Sequence, residues 1–274
     1  TRDRLDSEFL HDFRVAVRRI RSALGQIKGA LPAEETARLR EEFKWLQQLT
    51  GPARDLDVYL LQMPEYEADL PAHERGNLAP LRTFLEKRRQ SAYRELIEGI
   101  DSERYARLIA AAEALIDDDT PGPKGRDRVG RLANRRIRKV YGRVLTQAGA
   151  IGPHSRAESL HELRKTCKKL RYLMEFFRRL YPRAEIAGRI RALKDLQDNL
   201  GDFQDLCVQA DALRTFSREM AADGTAQAET LLAMGRLIEG LDQRAVDTRA
   251  EFGERCAHFA RRKERRRFEG LFGK

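Results

Sequence analysis

The chain has 274 residues, of which 41% are apolar and 35% charged. Its 53 lysines and arginines outnumber 43 acidic residues, giving a formal net charge of +10. That length supports one large domain or two smaller ones with real cores, and the charge favours an anionic partner. No apolar run approaches the ~18 residues of a membrane span, and no secretory signal pattern is present, so neither a membrane protein nor a membrane partner is expected.

Helical periodicity dominates from end to end, and no alternating strand pattern appears. A first helix spans roughly residues 7–30. Pro32 with Glu34 and Glu35 suits the start of a second, which runs to about Thr50, where Gly51-Pro52 breaks it. A third begins near Ala53 and is expected to fail before Pro64. Two more follow, over about 72–100 and 102–116.

Residues 117–125, Asp-Asp-Asp-Thr-Pro-Gly-Pro-Lys-Gly, read as a linker. It divides the chain into an N-terminal half, 1–118, and a C-terminal half, 126–274. In the second half, helices are expected over 127–147 and 157–180. Another starts at Pro182 and breaks at Gly201, and two more run over 202–220 and 225–260. The tail Arg261 to Arg267 is a charge cluster, read as a solvated helix end. Short loops between amphipathic helices favour bundles. The expected fold class is all-α, two four-helix bundles related by an internal pseudo-twofold axis.

The halves repeat each other at an offset of 150 residues. His11-Asp-Phe-Arg-Val-Ala-Val-Arg-Arg-Ile-Arg21 faces His161-Glu-Leu-Arg-Lys-Thr-Cys-Lys-Lys-Leu-Arg171, with cations at +3, +7, +8 and +10 from each histidine. Residues 44–58 and 194–208 continue in the same register, with 7 identities in 15 positions, including Lys44/Lys194, Gly51/Gly201 and Asp55/Asp205. Periodicity alone would not align histidines, glycines and aspartates together.

The cations in these repeats are ordered. At about 100° per residue, His11, Arg14, Arg18 and Arg21 form one stripe, while Phe13, Val17, Ile20, Leu24 and Ile27 form a separate apolar stripe that should face the core. Arg19 falls on the other flank. The second copy places His161, Arg164, Lys168 and Arg171 on one side, beside Lys169, with Leu163, Cys167, Leu170, Met174 and Phe177 on the apolar side. Like charges at these spacings repel by a few tenths of a kcal/mol per pair. An anion lying along the stripe would reverse that sign, and so would carboxylates from neighbouring helices. Lys44 and Lys194 match across the copies. Arg54 has Gln204 as its counterpart. Arg135, Lys139 and Arg143 recur at helical spacing on the helix before the second copy and make another basic face.

Two readings of His11 and His161 stay open: a phosphate contact, or a bond to a neighbouring loop or carboxylate. Asp55, Asp57 and Asp205 suit helix capping or the steadying of arginines, with a metal site as the alternative. Cys167, Cys207 and Cys256 lie far apart, match no metal-ligand spacing and are odd in number. They read as reduced core thiols of a cytoplasmic protein.

These motifs resemble the conserved histidine α-helical domain, the CHAD family. The resemblance rests on His11-x-x-Arg14-Val15-x-x-Arg18-Arg19-x-Arg21 and Leu46-x-x-Leu49-x-Gly51-x-x-Arg54-Asp55-x-Asp57-Val58. In the second half it rests on His161-Glu162-Leu163-Arg164-x-x-x-Lys168-Lys169-Leu170-Arg171-Tyr172 and Leu196-Gln197-x-x-Leu200-Gly201-x-x-x-Asp205. It implies a single CHAD domain over 1–274 that binds inorganic polyphosphate, without catalysis, in a basic groove or pore lined by both repeats. It also implies association with polyphosphate granules, and a site that sulfate or phosphate would occupy in a crystal. Some members add a triphosphatase domain of the CYTH type, and no segment of these 274 residues is left over for one. The first motif lies only ten residues from the start, so an upstream helix is expected to be short or missing.

The alternative is RNA or DNA binding through the phosphate backbone, but no nucleic-acid motif appears and the aromatics look committed to packing. A phosphoanhydride hydrolase would need a Walker A, HExxH, CxxC or nucleophile-elbow pattern, and none occurs. No catalytic residue, metal ligand or cofactor is expected.

Overall fold

The computed structural model describes residues 7–273, apart from Lys28, Asp119, Asp127 and Pro153. Among the described residues there are eleven α-helices and no strand. They are α1 Ser7–Gln26, α2 Ala33–Leu49, α3 Gly51–Ala68, α4 Ala79–Ile100, α5 Glu103–Asp117, α6 Val129–Gly149, α7 Ala157–Phe176, α8 Arg183–Ala222, α9 Ala228–Ala250, α10 Phe252–Phe259 and α11 Arg262–Phe272. The chain is therefore all-α, as its periodicity predicts. No described helix is long and apolar enough to cross a membrane.

The chain forms two compact units. Unit 1 comprises residues 1–125 and 210–240, and unit 2 comprises 126–209 and 241–274. Residues 210–240, expected in the C-terminal half, thus cluster with the N-terminal one. Phe216 makes edge-on contacts with Tyr59 and Phe84, with ring centroids 5.4 and 5.8 Å apart. Glu219 pairs with Arg88 at 2.8 Å. These contacts join residues far apart in sequence, so the 117–125 boundary could not reveal them.

In unit 1, Val17 and Leu24 of α1 pack with Leu39, Phe43 and Leu46 of α2 and Leu108 of α5. Leu10, Ala53, Ala92 and Leu96 form an adjoining cluster. Of the expected apolar stripe, Val17 and Leu24 are buried, Phe13 and Ile27 are half-buried, and Ile20 is 40% exposed. Between α3 and α4, buried Asp57 accepts from Arg89 Nε at 2.5 Å and Tyr93 Oη at 2.6 Å. This carboxylate fastens two helices together.

The core of unit 2 gathers around α7. Leu163, Cys167, Leu170, Met174 and Phe177 are all buried, as the second wheel predicts. They meet Ile137 and Val144 of α6, Leu193 and Leu196 of α8, and Phe252, Phe259, Phe268 and Phe272. The charged tail is thus an amphipathic helix. Phe268 stacks on Tyr141 with centroids 3.6 Å apart, and Glu264 pairs with Arg189 and Arg267.

Three helix boundaries differ from expectation. Pro64 lies inside α3, because buried Met63 and Tyr66 hold the helix across the missing amide. A single helix over 225–260 gives way to α9 and α10, an interruption that lets Phe252 and Phe259 both enter the core. Gly201 does not end a helix at all, since α8 runs through it. Its counterpart Gly51 sits at a real break. The difference is the next residue: Pro52 removes an amide donor, whereas Asp202 keeps one. Helical bonds persist on both sides of the first break, from Thr50 N to Leu46 O and from Arg54 N to Thr50 O. The expected linker includes Asp119, which lies outside the described residues. Farther along it, Gly122 N and Lys124 N donate to Ala30 O and Gly29 O. The segment is therefore strapped to the α1–α2 turn.

Candidate anion-binding site

Each unit carries one candidate site, on the histidine-led helix α1 in unit 1 and on α7 in unit 2. Arg14 of α1 is half-buried, and its Nη1 donates to Gln47 O and Thr50 Oγ1, both at 2.8 Å. Thr50 Oγ1 is 3.0 Å from Leu46 O and 3.2 Å from Gln47 O, so it also engages the end of α2. The guanidinium thus lies over the α2–α3 junction, 3.6 Å from the point that a Cβ on Gly51 would occupy. Burial lowers the Arg14 pKa from its ordinary value. Nearby Asp55 opposes that shift, while Arg18 and Arg54 reinforce it.

Unit 2 repeats the placement. Arg164 Nη2 lies 3.5 Å from the corresponding point on Gly201 and donates to Asp205 Oδ1 at 3.1 Å. Arg14/Gly51 and Arg164/Gly201 occupy matching sequence positions and make matching contacts. The repeat is thereby a repeat of local geometry, each unit setting one arginine against one side-chain-free position.

The copies differ around that shared contact. In unit 1, Arg21 hydrogen-bonds to the Gln47 side chain. In unit 2, Arg171 is ion-paired with Glu175 at 3.5 Å. There the Nε atoms of Arg164 and Arg171 and both polar atoms of the Gln197 side chain are buried without a hydrogen-bond partner. Arg54 donates to Ser7 O at 3.2 Å and so ties α3 to the start of α1. Its counterpart Gln204 accepts from His161 Nδ1 at 2.7 Å. An amide oxygen can only accept, so Nδ1 carries the proton and Nε2 is the ring's remaining nitrogen. His11 is exposed.

The other predicted cations fall into two groups. Lys44 pairs with Glu41 at 3.1 Å and Lys194 with Asp198 at 2.9 Å, each on its own helix. Arg18 is half-buried and Arg19 exposed on α1, and Arg135, Lys139 and Arg143 are exposed on α6. Lys168 is half-buried and Lys169 exposed on α7. Exposed pairs contribute at most about 1 kcal/mol and exchange readily, so Lys44 and Lys194 can still turn to an external anion.

Sequence reasoning did not single out Gln47 and Thr50 as functional neighbours. Gln47 was accessible as a repeat identity, but Thr50 was not, because its counterpart is Leu200. Cys167 is buried and its thiol is pushed up to about 12 by desolvation, as expected of a core cysteine. No cluster of three or more His, Cys, Asp or Glu suited to a metal occurs among the described residues.

Fold and site together define a class: an all-helical protein with two histidine-led basic helices, each laying an arginine against a glycine. The chain belongs to the CHAD domain family, whose model matches residues 1–214. It is similar to the uncharacterized proteins Rv2226 and MT2285 of Mycobacterium tuberculosis, at 31% identity over 211 residues. The match covers 74% of this chain and 39% of those relatives, so the chain spans about two-fifths of their length. The crystal structure of the CHAD domain from the plant Ricinus communis aligns with a TM-score of 0.71 at 26% identity, over 94% of this chain and 83% of that one. PptA from Streptomyces chartreusis shares the fold, with a TM-score of 0.71 at 17% identity, over 91% of this chain and 89% of its own.

Proposed function

We propose that the protein binds inorganic polyphosphate through the basic faces of α1 and α7, without cleaving it. The observation that carries this reading is the duplicated arginine–glycine contact. It fixes one guanidinium of each motif on a neighbouring helix, and on α1 the exposed Arg19 and half-buried Arg18 lie along the same helix. A polyphosphate chain presents regularly spaced oxygens and no other recognition element. It requires fixed donors at short spacing, which guanidinium groups supply through paired N–H bonds. Arg18 and Arg19 from α1, Lys168 and Lys169 from α7, and Arg135, Lys139 and Arg143 from α6 extend the two basic surfaces. Membership of the CHAD family supports the same reading, and granule association in the cytoplasm would follow from it.

Single-stranded nucleic acid is the competing ligand. Such strands are held by cations interleaved with stacking aromatics. Phe9 is 59% exposed on α1. At about 100° per residue it lies with Phe13 on the apolar side, well away from the His11–Arg21 stripe. On α1 that separation favours polyphosphate.

The deciding experiment measures binding of long-chain polyphosphate against single-stranded RNA at matched phosphate concentration over a salt series. Polyphosphate should bind more tightly, and the combined changes Arg14→Glu, Arg18→Glu, Arg164→Glu and Lys168→Glu should abolish binding with helicity retained. Equal or tighter RNA binding overturns the proposal. Incubation with Mg²⁺ and polyphosphate should release no phosphate.

A further inference from the structure

A second basic site in unit 2 is lined by residues outside the His161–Arg171 motif. Arg178 and Arg179, in the 3-10 turn after α7, join Arg183 and Arg191 of α8 around a cavity of about 570 Å³. None of these four guanidinium groups has a hydrogen bond or ion pair among the described residues. Arg189, on the same helix, shows the contrast: it is ion-paired with Glu264, both side chains being nearly buried. Glu185 lies in the first turn of α8 but does not line the cavity.

The remaining walls are apolar. Tyr181 and Ile190 present half-buried surfaces. Tyr181 is held in place by its hydroxyl, which donates to Asn134 Oδ1 at 2.6 Å, and by an edge-on contact with Phe272 at 4.9 Å. The cavity also opens at the start of the 40-residue helix α8. The first amides there, those of Arg183 and Ala184, precede the first helical donors, since Glu185 N and Ile186 N already reach back to Pro182 O. Free amides and the positive end of the helix dipole add to the arginines' field.

We propose that this cavity binds a small organic phosphate, with a triphosphate group against the four arginines and an apolar ring system against Tyr181 and Ile190. Four uncompensated guanidinium groups match the charge of a triphosphate, about −4, better than the −1.5 to −2 of a single phosphate group. The volume lies within the range of about 300–1,000 Å³ typical of small-molecule sites, which combine apolar walls with a few convergent polar groups. The mixed lining separates this site from the α1 and α7 surfaces, which offer a bare polyanion only charge. This inference stands independently of the polyphosphate reading.

ATP is the test ligand, titrated calorimetrically into the full chain alongside inorganic triphosphate and long-chain polyphosphate. ATP should bind saturably at one site per chain, at least tenfold more tightly than inorganic triphosphate. The double change Arg179→Glu with Arg183→Glu should weaken ATP at least tenfold and leave polyphosphate affinity within twofold, while Arg14→Glu with Arg18→Glu should do the reverse. Circular dichroism of each variant confirms retained helicity, and Tyr181→Ala provides a charge-neutral check that should weaken ATP but not triphosphate. Absence of saturable ATP binding overturns the proposal, as does equal affinity for ATP and triphosphate, or loss of ATP binding in the α1 variant. Failure of polyphosphate to bind, with ATP still bound at the pocket, would sink the functional reading and leave this one standing.

Discussion

The Arg164 guanidinium rests against Gly201, with Nη2 only 3.5 Å from where a Cβ would sit. That spacing is ordinary van der Waals contact for one added carbon, but leaves no room for branching. Gly201 lies mid-helix, where glycine costs about 0.5–1 kcal/mol relative to alanine. Gly201→Ala should therefore stabilise the protein by about 0.5 kcal/mol in urea unfolding, with polyphosphate affinity little changed. Gly201→Val should displace Arg164 and weaken binding several-fold. If valine left affinity intact, the contact would be incidental to binding.

The tie between α3 and α4 gives a stability prediction. Asp57 is buried and holds both Arg89 and Tyr93. Asp57→Ala removes the acceptor and strands both donors, at a cost of about 2–3 kcal/mol, discounted because the Arg89 side chain is 41% exposed. A loss below about 1 kcal/mol in denaturant unfolding would mean that water replaces the carboxylate without penalty.

Alkaline pH should destabilise the fold. Burial pushes the Cys167 thiol up to about 12 from an ordinary value of 9.0. It does the same to the Tyr59, Tyr141 and Tyr181 hydroxyls, up to about 12 from 10.0. For Tyr93 burial is again the largest cause, with Asp57 adding to it. The unfolded chain loses these protons first, so stability is fully present below about pH 9 and falls as pH rises towards 12. Melting temperatures across pH 8 to 11 should decline, most steeply above 10. Ellman's reagent should leave Cys167 unmodified in the native protein at pH 8 and label it in urea.

Salt dependence separates the open cations from those committed to the fold. Arg18 and Arg19 have no hydrogen bond or ion pair among the described residues, whereas Arg54 is bound to the Ser7 carbonyl. Arg18→Ala should weaken polyphosphate binding and reduce the slope of log affinity against log salt by about 1, following the counterion release measured for nucleic acids. Arg54→Ala should instead lower stability, with less effect on the slope. Identical slopes for all three proteins would remove Arg18 from the binding surface.

Which side chains meet was legible in the second copy and less so in the first. All five predicted apolar residues from Leu163 to Phe177 are buried, because α7 is covered by α6, α8 and the C-terminal aromatics. The same wheel on α1 puts Ile20 at 40% exposure. Periodicity identifies the face of a helix that is able to bury, whereas the extent of burial depends on neighbours contributed from elsewhere in the chain.

The sequence by itself determined the all-helical class, the repeat, and the pairing of each histidine motif with a later glycine and aspartate. All of these follow from local periodicity and a constant 150-residue offset. Tertiary structure decided that Pro64 is tolerated inside α3 and that residues 210–240 pack with the first unit. It also decided which cations are neutralised, since Arg164 meets Asp205 and Arg189 meets Glu264 across helices. The physical reason is range. Helix propensity and amphipathicity act within a turn or two of chain, but a glycine's cost, a proline's missing bond and an arginine's free charge are settled by packing partners many residues away.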